Sequence, residues 1–292
     1  MSGRLANRVA IVTGASRGIG KAIARAFADE GAAVAVAART ETVWDERLPG
    51  TVHDTVREIE GAGGRAVAIR ADLAQPDDVE RLVTEARDAL GSIDLLVNNA
   101  AVTVPGRPPA PGSNSPSPAR DAPRAGTTST RTGSFLDFPL KGYRLHFEVG
   151  VFASYRLMQL VLPDMIEQGR GSIVNISSYA AFVPGEGPYQ RTGSPGPLAY
   201  GGNKAALHHL TQAVAVEVAA HGVAVNVLIP SEPVITPGNL VAAVGETDWA
   251  SPEDFAEATV QVALATPDVT TGQVLWSDDV LHPEAGRRGW LR

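Results

Sequence analysis

"RVAIVTGASRGIGKAIARAFADEG" (residues 8–31) decides the fold. It opens on a short β-branched run, and Ile19, Ile23 and Phe27 then recur at helical spacing. Between the two lie Gly14, Gly18 and Gly20. Glycines there permit a tight turn and let a ligand approach the backbone closely. A helix starting at such a turn offers free N–H groups and the positive end of its dipole, which suits a pyrophosphate. A glycine-rich turn alone says little, but between a strand and a helix it marks a dinucleotide site. The candidate contacts are Gly14, Ser16, Arg17, Gly18, Ile19 and Gly20.

The same alternation continues outward. Strand-like runs occupy 32–38, 65–73, 92–101, 171–178, 222–230 and 272–277. Helical patterns fill 51–64, 76–91, 143–169 and 251–266, and another follows Tyr200. Near-continuous apolar strands between amphipathic helices predict an α/β fold: a doubly wound parallel sheet with helices on both faces. Residues 1–292 read as one domain with no internal repeat. Two segments break the pattern. Residues 103–134 hold seven of the 21 prolines and no Leu, Ile or Phe, which predicts a mobile inserted loop. Residues 183–197, rich in Gly and Pro, form a smaller insertion just before Tyr200.

Composition excludes several functions. A net charge of −7 argues against nucleic acid as partner. There is no cysteine, so disulfides and thiolate metal sites are impossible. The six histidines show no zinc-ligand spacing, and His208 and His209 read as solvated neighbours; no metal is expected. No run approaches the length of a membrane helix and the first residues lack a signal-peptide core, so a cytoplasmic protein is expected.

The end of the second strand distinguishes the dinucleotides. An acidic residue there accepts the ribose 2′-hydroxyl of NAD, whereas arginine accommodates the 2′-phosphate of NADP. The chain reads "VAARTE" (36–41), placing Arg39 and Thr40 there, with Arg17 in the glycine turn. Two guanidiniums suit a phosphate, so NADP(H) is the expected cofactor and NAD(H) the second choice. Asp72 and Leu73 follow the third strand and can bracket the adenine. The small residues of "NNAA" (98–101), Asn99 among them, let a cofactor lie against the sheet edge.

"LAYGGNKAAL" (198–207) starts the helix on which Leu207, Leu210, Val214 and Val218 form one face. Tyr200 and Lys204, one of only three lysines, stand at i and i+4 and can address one site. From spacing alone they are either a proton donor with its tuning charge or a half-buried tyrosine beside a surface lysine.

Taken in chain order, residues 13–20, 98–101, Ser178, Tyr200-x-x-x-Lys204 and "NVLIPSEPVITP" (226–237) resemble the short-chain dehydrogenases/reductases. Residues 37–64 and 271–281 are similar to its hydroxysteroid-dehydrogenase-like branch, including "LPGT" at 48–51. The resemblance implies a Rossmann-type fold and hydride transfer between a nicotinamide and a ketone/secondary-alcohol pair. It makes Tyr200 the general acid or base and Lys204 the ammonium that favours its phenolate and bonds the nicotinamide ribose. Ser178 would hold the substrate oxygen, and a homodimer or homotetramer is implied. The rivals are an NAD-linked alcohol or steroid dehydrogenase and a catalytically weak dinucleotide-binding protein. Three departures stand out. Relatives often carry Asn where this chain has Gly150, "PSEP" (230–233) replaces Pro-Gly, and "SDDV" (277–280) replaces a Gly-Gly pair. Glycine tolerates the kink expected at 150, so Gly150→Asn is expected to leave activity similar and stability equal or higher.

Overall fold

The computed structural model describes residues 3–103, 135–136, 138–187, 198–241 and 249–285. The expected mobile loop at 103–134 lies outside these residues apart from Thr103, as do residues 188–197 of the second insertion.

Seven parallel strands form one sheet in the order β3-β2-β1-β4-β5-β6-β7. They are β1 (Val9–Thr13), β2 (Ala33–Ala38), β3 (Arg65–Arg70), β4 (Leu95–Asn98), β5 (Gly171–Ile176), β6 (Val223–Ile229) and β7 (Val274–Trp276). The helices are α1 (Gly18–Asp29), α2 (Val52–Gly61), α3 (Pro76–Leu90), α4 (Leu140–Phe147), α5 (Ala153–Gln168), α6 (Leu198–Val218), α7 (Pro237–Val241), α8 (Pro252–Ala263) and α9 (Ser277–Leu281).

Strand alternation divides the core into two layers. Ala10, Val12, Val34 and Val36 pack with Ile23 and Phe27 of α1 and Phe255 of α8. Ile11 and Ala35 point the other way, onto Leu82 of α3 and Leu157, Met158 and Val161 of α5. A sheet coated on both faces leaves only strand ends and their loops for chemistry. In a doubly wound sheet the ligand crevice opens at the carboxyl ends, where the strand order reverses. Here that point lies between β1 and β4, which are neighbours in the sheet.

Polar ties lock both ends of the strands. At the amino ends the buried Asp94 receives Arg8 Nε at 2.8 Å and Arg170 Nη2 at 3.0 Å. At the carboxyl ends Asn98 Nδ2 donates to Asn175 Oδ1 at 2.8 Å, and Asn175 Nδ2 donates to Thr211 Oγ1 at 2.8 Å. That chain of amides sets the height of α6 against the sheet, and therefore the height of Tyr200 and Lys204.

One expected element needs correction. The helical pattern at 143–169 is not a continuous α-helix: a π-helical turn, Glu148–Phe152, separates α4 from α5. A π turn inserts an extra residue into the hydrogen-bond ladder without changing side-chain polarity, so apolar periodicity does not reveal it. Gly150 is its central residue.

Candidate active site

The crevice between β1 and β4 opens into a cleft of about 650 Å³. The candidate cofactor and catalytic residues all line it: Gly14, Ser16, Arg17, Gly18, Ile19, Gly20, Arg39, Thr40, Asp72, Leu73, Asn99, Ser178, Tyr200 and Lys204.

Its floor is a knot of strand ends. Thr13 Oγ1 donates to Val97 O at 3.1 Å and accepts from the N–H groups of Asn99 and Ala100 at 3.0 and 3.1 Å. Asn99 Nδ2 donates to Thr13 O at 2.8 Å. Glycine is required around this knot by close approach. A Cβ on Gly14, whose φ is +67°, would stand 2.9 Å from Ala100 Cα. One on Gly20 would stand 2.4 Å from both Asn99 Nδ2 and Gly14 O. Gly20→Ala is therefore expected to destabilise the fold by about 1–3 kcal/mol, as overpacking against backbone does, measurable by urea denaturation.

At the far end lie Arg17 and Arg39. Arg17 Nη2 donates to Gly50 O at 3.0 Å. Its Nε is buried with no hydrogen-bond partner among the described residues. Burial, and secondarily the nearby Arg39, hold the Arg17 guanidinium below its ordinary pKa. Two cations brought together with a buried donor left over form a polar cradle suited to a phosphate. The start of α1 adds its N–H groups, with no side-chain cap and no acidic residue in its first turn. Trp44 and Leu48, from the loop after β2, also wall the cleft. Sequence reading missed them because that loop carries no periodic signal.

At the other end stand Tyr200 and Lys204, both buried on the first turns of α6. The choice left open by their spacing is decided here against a surface lysine. Lys204 Nζ donates to Ile176 O at 2.6 Å and lies 5.7 Å from the centroid of the Tyr200 ring. Burial pushes the Lys204 ammonium down to about 8. Ser178 follows β5 and caps the short 3₁₀ turn Tyr179–Phe182, its Oγ accepting from Ala180 N at 3.3 Å. The preceding Ser177 also lines the cleft, but its Oγ lies 2.7 Å from His208 Nε2.

That contact corrects the expectation that His208 is solvated. His208 is partly buried, its ring 5.3 Å from that of Phe182, and burial first and Lys204 second push it down to about 4. It stays neutral near pH 7, while His209 is exposed as expected. A helical step of four from Lys204 was the available signal for its orientation.

Two of the sequence departures meet. Ser231 of "PSEP" is buried, donates its N–H to Ser277 Oγ at 3.0 Å and accepts from Asp278 N at 3.0 Å. Glu232 and Pro233 of the same loop line the cleft. No group of three or more His, Asp or Glu side chains among the described residues is placed to hold a metal, and no described helix is long and apolar enough to cross a membrane.

The family model for short chain dehydrogenase matches residues 8–239. The chain is 31% identical over 265 residues to oxidoreductase UcpA of Salmonella typhimurium, covering 91% of this chain and 82% of that protein. A solved 7 alpha-hydroxysteroid dehydrogenase, complexed with NADH and 7-oxo glycochenodeoxycholic acid, is 27% identical with a TM-score of 0.70, covering 94% of this chain and 93% of its own. A metagenomic short-chain oxidoreductase in complex with NADP is 28% identical with a TM-score of 0.67, covering 94% of this chain and 97% of its own.

Proposed function

The chain belongs to the short-chain dehydrogenase family, and from that premise we propose that it is an NADP(H)-dependent oxidoreductase interconverting a ketone and a secondary alcohol. One observation carries this reading: a single cleft has a buried Tyr200–Lys204 pair at one end and two arginines at the other. The residues present fit a dinucleotide phosphate, given the buried Arg17 Nε, unpartnered among the described residues, and a glycine turn that a single Cβ would fill.

The nicotinamide, when bound, supplies or accepts the hydride. The protein supplies position and the proton. The Ser178 oxygen accepts from Ala180, which leaves its O–H free to donate a hydrogen bond to the substrate oxygen without giving up the proton. Tyr200 donates its phenolic proton to that oxygen as negative charge develops there. The Lys204 ammonium stabilises the phenolate that remains. The Ile176 carbonyl holds Lys204 Nζ in place. In alcohol oxidation the same groups act in reverse, with the Tyr200 phenolate as base.

The test is cofactor oxidation followed with a panel of ketones, using NADPH and NADH in parallel. Ketone-dependent NADPH consumption is the expected result, and its absence across chemically varied ketones overturns the reading. Cofactor choice is tested at Arg39. Arg39→Asp removes a charge-assisted bond worth about 1.5–3 kcal/mol, so the NADPH-to-NADH ratio of kcat/KM is expected to fall at least about tenfold. An unchanged ratio takes the phosphate-reading role away from Arg39.

A further inference from the structure

Gly150 and Asn203 come from different elements and share one small volume. We propose that Asn203 is a positioning residue for Tyr200 and Lys204, and that Gly150 is the partner that makes room for it.

Asn203 is buried on the first turns of α6, between Tyr200 and Lys204 in sequence. Its Nδ2 donates to Ala199 O at 2.9 Å and to Tyr200 O at 2.9 Å. Side chains that bond back to carbonyls three and four residues earlier bend and fix a helical turn. The turn fixed here is the one that carries Tyr200. A Cβ on Gly150 would stand 2.3 Å from Asn203 Oδ1 and 3.0 Å from its Cγ. The carboxamide therefore fills the volume that a side chain at 150 would need. The π turn presents that notch, and Ser154 Oγ donates to Gly150 O at 3.2 Å to hold its backbone.

Gly201 is packed nearly as closely, and a Cβ on Gly202 would make ordinary van der Waals contact. A Cβ on Gly201 would stand 2.5 Å from Ala180 O, in the 3₁₀ turn that Ser178 caps. One on Gly202 would stand 3.4 Å from the Tyr143 hydroxyl of α4. The start of α6 is thus wedged between the 3₁₀ turn, α4 and the π turn, and Asn203 is the polar side chain in the last of these contacts. A displacement of about 1 Å in such a turn can cost 10²-fold in rate, because the hydroxyl no longer meets the reacting oxygen. On this proposal Gly150→Asn, expected from sequence to be benign, is damaging while Asn203 is present, because the Asn203 carboxamide must leave its bonds to Ala199 O and Tyr200 O to make room.

The proposal rests on Tyr200 and Lys204 being the reacting pair, and its test separates the two questions. Wild type, Gly150→Asn, Asn203→Ala and the double variant are compared by kcat and by the ultraviolet titration of the Tyr200 phenolate. The Tyr200 signal is isolated by subtracting each protein's own Tyr200→Phe counterpart. Asn203→Ala only removes atoms, and it is expected to lower kcat about 10–100-fold and to move the Tyr200 titration midpoint. Adding Gly150→Asn to it is expected to recover kcat at least about tenfold and to return the midpoint toward wild type, whereas in wild type it is damaging. Asn203→Ser is measured beside it, so that a folding failure of the alanine variant leaves the comparison intact. The proposal is overturned if Gly150→Asn harms the Asn203 variants as much as wild type, or if they titrate Tyr200 at the wild-type midpoint. A wild type that reduces no ketone defeats the functional reading instead, and the titrations still decide the pair.

Discussion

Tyr200→Phe is expected to lower kcat for carbonyl reduction by about 10²–10⁴-fold, the usual worth of a placed general acid. The substitution keeps the ring and deletes only the hydroxyl. The ring, which packs edge-on to His146 with centroids 6.3 Å apart, is retained in the variant. Loss of kcat with an unchanged melting temperature and unchanged NADPH affinity, measured by fluorescence titration, is the predicted pattern. Near-normal turnover removes Tyr200 from the mechanism.

Lys204→Met is expected to divide activity from stability. Methionine matches the length of the lysine stem but carries no charge. The ammonium is what favours the phenolate that acts as base, and a placed general base is worth about 10²–10⁴-fold, so alcohol oxidation near pH 7 should slow by up to about that factor. Stability should move the other way, because a buried ammonium is costly and, among the described residues, the Ile176 carbonyl is the hydrogen-bond acceptor that compensates Lys204. The sign follows from linkage. Lys204 is pushed down to about 8 in the folded protein from an ordinary 10.5, so the unfolded chain binds the proton more tightly. The charge penalty on the native state is present in full below pH 8 and fades as pH rises to 10.5. The gain in urea midpoint for Lys204→Met should therefore be largest below pH 8 and shrink above it. A variant that loses stability at pH 7 would mean that the ammonium holds the fold together.

The parts of this arrangement that were legible in sequence are those with a local signal. The glycine turn, the arginine after β2 and the Tyr200–Lys204 spacing each lie at a strand end or a helix start. A parallel sheet carries all such ends to one edge, so residues far apart in sequence met in one cleft as expected. What stayed hidden depends on contacts between distant segments. Nothing in "FEVGV" or "GGNK" says that the glycine of one leaves space for the asparagine of the other. His208 read as one of a solvated pair because polarity is local, whereas its bond to Ser177 is made across the α6–sheet interface. The π turn kept the polarity pattern of an α-helix and changed only its hydrogen bonds. The tie between Ser231 and Ser277–Asp278 likewise joins a loop to the start of α9, two segments whose sequences merely looked unusual apart.

The most direct test of the central claim follows the hydride itself. Wild-type protein is mixed with a reducible ketone and NADPH deuterated at the nicotinamide C4, on each face in turn, and the alcohol is analysed by mass spectrometry. The account predicts deuterium on the carbinol carbon from one face only, at a rate that collapses in Tyr200→Phe. Alcohol formed without deuterium from either face, or formed equally fast by Tyr200→Phe, would contradict it.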